Sequence, residues 1–145
     1  MAAVDRRLPT AYLSVPWPSC WCSWRLPAEV TVRALQAWQR TVAPAAPVVL
    51  TPPFRDDLAR ATTAWVFIST GWFLGPALDG DPPPPDTARR CMIPTRRALL
   101  QHRLRLVAEQ EPAVLPALQE LAAQAYEAAV RQWGRRPLPL AAAFR

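Results

Sequence analysis

The side chains that could do chemistry in this chain are few and widely spaced. His102 is the one histidine, and neither lysine nor asparagine occurs among the 145 residues. Nucleophilic catalysis of the Ser-His type needs a base beside a positioned serine, and no Gly-x-Ser-x-Gly turn accompanies this histidine. We therefore predict no catalytic residue and interpret His102 as a solvated or packed residue of a helix.

The sequence contains enough ligands for one zinc ion, because Cys20, Cys22, Cys91 and His102 have the composition of a Cys₃His zinc site. Structural zinc sites typically begin with a Cys-x-x-Cys pair, whereas one residue separates Cys20 from Cys22 and Cys91 is distant. No apolar segment typical of a secretory signal opens the chain, which favours a cytoplasmic setting and free, buried thiols. We predict no metal and keep zinc as the alternative.

Arginine supplies all the basic character of the chain. The 17 arginines outnumber 11 acidic residues and give a formal charge of +6. Arg89, Arg96 and Arg103 recur every seven residues on a predicted helix, so they share one face and form the candidate anion-binding site. The alternatives are an ordinary solvated face and an arginine-biased coding composition. No aromatic side chains interleave with this stripe, so the signal for nucleic acid is weak.

Nucleotide-binding loops are missing as well. The four glycines form neither a P-loop nor a dinucleotide-binding turn, and without lysine the chain has no phosphate-gripping ammonium group. The sequence therefore predicts no cofactor.

Eighteen prolines divide the chain into elements. Residues 1–26 form an irregular segment rich in Pro, Trp and Cys, and 82–86 contains a tetraproline connector in polyproline II conformation. Helices are expected between these interruptions. Their predicted limits are Pro27 to Val42, Phe54 or Asp56 to Leu78, Pro94 or Thr95 to beyond Val107, and Pro112 or Pro116 to the stop at Gly134.

The apolar residues assign a buried face to each of the first and last helices. Steps of three and four residues are typical of such a face. In the first helix the face comprises Val32, Leu35, Trp38 and Val42, and in the last it comprises Val114, Leu118, Leu121, Ala125, Ala129 and Trp133.

The second predicted helix differs, because its stretch from Ala61 to Leu78 has no charged residue. That length raises the alternative of a membrane span, but interspersed Thr, Ser, Gly and Pro dilute its hydrophobicity. We interpret it as the central helix of a bundle, with Trp65, Ile68 and Trp72 buried among its neighbours. The whole chain is predicted as one all-α domain, 1–145, of about four helices.

The N-terminal segment adds several large rings to this bundle. Trp17, Cys20, Trp21 and Trp24 fall within eight residues, and the surrounding prolines prevent a long helix there. We predict that these rings pack across the bundle against the second helix and that the cysteines are small buried fillers. The alternative is an exposed tryptophan patch that contacts a partner chain.

Four stretches together resemble the C-terminal half of bacterial aminoglycoside phosphotransferase-like proteins, whose fold is kinase-like. The resemblance covers nearly the whole chain. The sequence departs from the family's pattern at Ala141 and Ala142, where that pattern has Tyr and Pro. The stretches are YLSVPWPSCWCSWRLPAEV, DDLARATTAWVFISTGWFLGPAL, TRRALLQHRLRLVAE and PALQELAAQAYEAAVRQWGRRPLPLAAAFR.

The resemblance implies the helical lobe that walls an acceptor-substrate cleft. The family's catalytic loop and its metal-binding Asp match no position here, and kinase-type transfer needs a lysine that the chain lacks. We therefore expect no phosphate transfer by this chain, which we interpret as a non-catalytic or truncated helical region whose partner would be a missing N-terminal kinase-like lobe. The alternative function is a small basic helical module that binds nucleic acid or another polyanion.

Overall fold

The computed structural model describes Val15 and residues 24–81, 94–111 and 113–144. Within these ranges the chain forms a small helical bundle without β-strands, as predicted. Its elements are α1 (Ala28–Val42), α2 (Pro52–Leu78), α3 (Arg96–Ala108) and α4 (Pro116–Trp133), with 3₁₀ turns at Pro47–Leu50 and Ala142–Phe144.

Proline and glycine mark the helix ends. Pro27 precedes α1, and prolines occupy the first turns of α2 and α4. Backbone N–H groups in a first turn have no partner within the helix, so proline loses no hydrogen bond there. For this reason α2 begins at Pro52, slightly before its predicted start. Gly134 follows α4 with a φ of 72°, a conformation that glycine adopts without steric strain.

The N-terminus of α3 is capped by two side chains. Thr95 Oγ1 accepts a hydrogen bond from the Ala98 amide at 3.2 Å. Asp81, which lies beyond the end of α2, accepts from the backbone amides of Arg96 and Arg97 at 2.8 and 3.0 Å. A carboxylate is favoured at this end of a helix, where free N–H groups point outward. The caps therefore tie the end of α2 to the start of α3.

The central helix of the bundle is α3, which packs against both α2 and α4. Leu104 of α3 meets Val66 of α2 and Ala122 of α4 in one buried cluster. Burying each such Leu or Val contributes roughly 1.5–3 kcal/mol. The same cluster contains Val15, Leu100, Val107 and Ala129.

In contrast to the prediction, α2 has a buried side and an exposed side. Val66 and Phe73 lie on its buried face, but Ile68 and Trp72 are 49% and 56% exposed. Trp65 is half-buried, and its ring lies edge-on to that of Trp72 with centroids 5.8 Å apart. The predicted burial of Ile68 and Trp72 is wrong, because the absence of charge does not reveal which side of a helix its neighbours cover.

The apolar stripe predicted for the last helix is confirmed in part, since Val114 precedes α4 and both Val114 and Leu118 are half-buried. Leu121 is 49% exposed, whereas the adjacent Ala122 is fully buried. Ala125, Ala129 and Trp133 contribute to the core cluster as expected. Small side chains at the contact let α3 and α4 approach closely, so alanine takes the buried position that the pattern gave to leucine.

Helix α1 lies at the periphery of the bundle. None of its residues is buried, and Val32 of its predicted apolar face is 51% exposed. Two contacts attach it: the Trp38 and Phe54 rings stack with centroids 5.9 Å apart, and Gln39 Nε2 donates to the Val49 carbonyl at 2.8 Å.

Several predicted features lie outside the described residues. They include the packing of Trp17, Trp21, Cys20, Cys22 and Cys91, the connector at 82–86, and Arg89. Among the rest of the N-terminal segment, Val15 is buried in the core cluster and Trp24 is half-buried. No helix in the described ranges combines the length and apolar character needed to cross a bilayer.

Candidate anion-binding cleft

The C-terminal segment turns back and forms one wall of a cleft. Arg25 donates its amide hydrogen to the Pro139 carbonyl at 2.9 Å, and its own carbonyl accepts from the Ala141 amide at 3.0 Å. These bonds form an isolated parallel bridge between Arg25 and Leu140. Leu138, in the same segment, is buried, whereas Phe144 is 42% exposed.

Gln101 of α3 holds the turn that follows α4. Its side chain is buried and its amide nitrogen donates to the carbonyls of Ala129, at 3.3 Å, and Gly134, at 2.9 Å. Its amide oxygen accepts from the Arg136 backbone at 2.8 Å. A buried amide with both ends bonded fixes backbone position firmly. Gln101 therefore positions the segment that supplies Arg135 and Arg136.

Four arginines line the resulting cleft, which has a volume of about 350 Å³. Arg25 precedes α1, Arg105 belongs to α3, and Arg135 and Arg136 follow α4. Gln101, His102 and Tyr126 also line it, and none of the described residues in the wall carries a carboxylate. Guanidinium groups present several N–H donors in a fixed plane and match the oxygens of phosphate and carboxylate. The cleft is therefore suited to an anion.

Two of these arginines are oriented by backbone carbonyls. Arg25 Nε donates to the Leu138 carbonyl at 3.4 Å, and Arg136 Nε donates to the Trp133 carbonyl at 3.1 Å. Arg105 lies 3.8 Å from Glu109, in a pair whose side chains are 43% and 67% exposed. A solvent-exposed pair at this distance is weak. It leaves the Arg105 guanidinium available to a stronger anionic ligand.

His102 reports the electrostatic character of the cleft. Burial is the largest cause that lowers the pKa of its imidazole, and together with the charges of Arg105, Arg25 and Arg103 it brings the pKa to about 4. The ring is therefore uncharged at neutral pH and offers one donor and one acceptor. Among the described residues of the wall, the positive charge then belongs to the four arginines.

A neighbouring cleft of about 380 Å³ shares Arg105, Tyr126 and Arg135 but also includes Glu109 and Glu127. Arg131 lines it as well and lies 3.7 Å from Glu127 in an exposed pair. The mixed charges of this second cleft make it a poorer site for an anion than the four-arginine cleft.

The arginine stripe predicted on α3 is placed differently. Arg103 is fully buried, its guanidinium lies 4.8 Å from the Phe73 ring centre, and burial lowers its pKa to about 10. Arg96 is half-buried at the start of α3, and Arg89 lies outside the described residues. At Arg103 the stripe faces α2 and not solvent. Anion binding by Arg89, Arg96 and Arg103 stays a prediction.

The arginines of the cleft were not predicted as a site. Arg135 and Arg136 directly follow the predicted helix stop at Gly134, which is the one local signal that could have drawn attention to them. Arg25 contacts Leu138 in the C-terminal segment, which lies 113 positions later in the sequence. Such a contact leaves no local pattern.

Metal-ligating side chains do not cluster in the part of the chain that the structure describes: no group of three or more His, Cys, Asp or Glu residues there could hold a metal ion. The alternative zinc set of Cys20, Cys22, Cys91 and His102 is outside this test, because its cysteines are not among those residues.

Comparisons of the chain with models of protein families, with curated proteins and with solved structures found no match. The resemblance to aminoglycoside phosphotransferase-like proteins therefore stays a prediction.

Proposed function

We propose that this chain is a binding module for an anionic ligand, which it holds in the four-arginine cleft. The observation that supports the proposal is the convergence of Arg25, Arg105, Arg135 and Arg136 on one concave wall, whose other described residues include no carboxylate. This reading follows the predicted alternative of a basic binding module, with the binding surface moved from the α3 stripe to the cleft.

Electrostatics favours a bound anion in such a place. Like charges held around one cleft repel each other, and the repulsion is stronger next to a half-buried wall than in bulk water. An anion that bonds to several guanidinium groups replaces this repulsion with charge-assisted hydrogen bonds, each stronger than a neutral one. The two arginine side chains bonded to the carbonyls of Leu138 and Trp133 are already partly ordered, which lowers the entropic cost of binding.

The positive charge of the cleft does not suit the aminoglycoside acceptor pocket that the family resemblance implies. Aminoglycosides carry several ammonium groups, and a cleft lined by four arginines repels cations. The cleft therefore adds no support for that function, which rests on the resemblance alone.

Thermal unfolding in phosphate tests the proposal. We expect the melting temperature to rise with phosphate concentration more than it does in sodium chloride of equal ionic strength, because a ligand that binds the folded state stabilises it. Arg105→Gln and Arg136→Gln should lose most of this difference. Arg131→Gln, which removes the same charge from the neighbouring cleft, should keep it.

Phosphate also stabilises proteins non-specifically by exclusion from their surfaces, and the comparison among variants separates the two effects. An equal response of the wild type and the two cleft variants would contradict the proposal.

A further inference from the structure

The charges in the four-arginine cleft limit what can neutralise it. The four guanidinium groups are charged at neutral pH, whereas the imidazole of His102 is not. One phosphate group carries about −1.5 to −2 at this pH. A single phosphate therefore offsets about half of the positive charge, and two adjacent phosphate groups offset most of it.

The arrangement of the cations limits the shape of the ligand. The arginines come from three separate parts of the chain, namely the segment before α1, helix α3 and the turn after α4, and they meet at one cleft. Its volume of about 350 Å³ is at the small end of ordinary ligand pockets. A nucleic-acid strand, with phosphates spaced along its backbone, is usually bound by a groove of cations interleaved with stacking aromatic rings. Of the described residues in this wall only Tyr126 is aromatic, and it packs against the core cluster.

From this convergence we propose that the ligand of the cleft is a compact molecule with a diphosphate group and not an extended polyanion. This proposal rests on the anion-binding function above. Arg135 and Arg136 are adjacent in sequence, and Gln101, which lies on the same α3 helix as Arg105, fixes the backbone of Arg136 at the cleft. Two phosphate groups in one ligand can engage guanidinium groups from more than one of these three parts of the chain at once. A single phosphate engages fewer of them.

Isothermal titration calorimetry with three probes tests the proposal: inorganic pyrophosphate, inorganic phosphate and a single-stranded oligothymidylate, all in magnesium-free buffer of equal ionic strength. We expect one pyrophosphate per chain, bound at least about tenfold more tightly than phosphate, since each additional charge-assisted contact strengthens binding by about that factor. Arg136→Gln and Arg105→Gln should each weaken pyrophosphate about tenfold. Arg131→Gln should leave its affinity within about twofold, and circular dichroism checks that each variant is folded.

The possible failures are distinguishable. Equal affinity for phosphate and pyrophosphate, with both cleft variants weakened, would overturn the diphosphate inference and leave the anion-binding function standing. Oligothymidylate binding that depends on Arg105 and Arg136, and that pyrophosphate does not displace, would replace the compact ligand with an extended one. Failure of all three probes to bind the folded wild type would contradict both proposals.

Discussion

His102 is the residue whose ionisation depends most on the four-arginine cleft. Its pKa of about 4 arises from burial and from the neighbouring arginines, so the folded chain resists a proton that the unfolded chain accepts near pH 6.5. A folded pKa below the unfolded value means that the unfolded chain holds more protons between these two pH values. Stability from this group is therefore complete above pH 6.5 and is lost as the pH falls toward 4.

We predict that replacing His102 with Gln reduces the acid sensitivity of the fold. Between pH 7 and pH 4 the wild type should lose up to about 3 kcal/mol more unfolding free energy than His102→Gln. Urea denaturation of both proteins at several pH values measures this difference. Carboxylate protonation affects both proteins equally, so parallel pH profiles would show that His102 is not buried among positive charges.

Arg103 shows at the same scale what spacing can and cannot predict. The seven-residue repeat correctly places Arg96 and Arg103 on one side of α3, because seven residues are close to two helical turns. Arginine is ordinarily a surface residue, so the repeat favours a solvent-facing stripe. The side chain instead lies against Phe73, where cation–π attraction offsets part of the cost of burial.

Among the elements, the turn after α4 depends on a single side chain of α3. Gln101 makes three hydrogen bonds to backbone groups of α4 and of this turn. We predict that Gln101→Met, which keeps the size of the side chain, lowers the unfolding free energy by about 2–4 kcal/mol because it removes one buried and two part-buried hydrogen bonds. The same variant should bind phosphate more weakly, since Arg135 and Arg136 lose their support.

The matched control for that prediction is Gln124→Met. Gln124 is exposed on α4, and its amide donates to Glu120 at 2.8 Å on the helix surface. We expect a change within about 0.5 kcal/mol, as is usual for surface substitutions. Urea denaturation that gave equal losses for the two glutamines would contradict the role assigned to Gln101.

The difference in burial between the two faces of α2 predicts different effects of substitutions on stability. Phe73 is 7% exposed and Trp72 is 56% exposed, although they are adjacent. Phe73→Ala should cost about 3–5 kcal/mol because it opens a cavity against α3. Trp72→Ala should cost less than about 1 kcal/mol, since its ring leaves no comparable void. Thermal melts of both variants measure the contrast, and equal losses would mean that the second face of α2 is also covered in solution.

Helix limits were more predictable than helix surroundings for a physical reason. Pro27, the prolines at the start of α2 and α4, and Gly134 act on the local backbone, so their positions can be identified in the sequence. Which side of α2 is covered depends on how α3 packs against it, and α2 has apolar residues on every side between Ala61 and Leu78. The exposure of Ile68 is therefore invisible to periodicity.

For the molecule as a whole, the net charge of +6 attracts anions in general but does not locate a site for one. The cleft forms because the residues around Arg25 bond to the C-terminal segment and Gln101 anchors the intervening turn. Both contacts join parts of the chain that are distant in sequence. The sequence shows that the four arginines exist, but only the folded structure shows that they line one cleft.

The most direct test of the anion-binding cleft is the proton spectrum of His102, which gives the one histidine ring signal of the chain. We predict that pyrophosphate shifts the signal of its Cε1 proton saturably and raises its pKa from about 4 by about one pH unit or more, because the anion offsets the surrounding positive charge. Arg131→Gln should respond like the wild type, and Arg136→Gln should need a higher pyrophosphate concentration. A signal position and pKa that stay unchanged in millimolar pyrophosphate, in a protein shown to be folded, would contradict binding in this cleft.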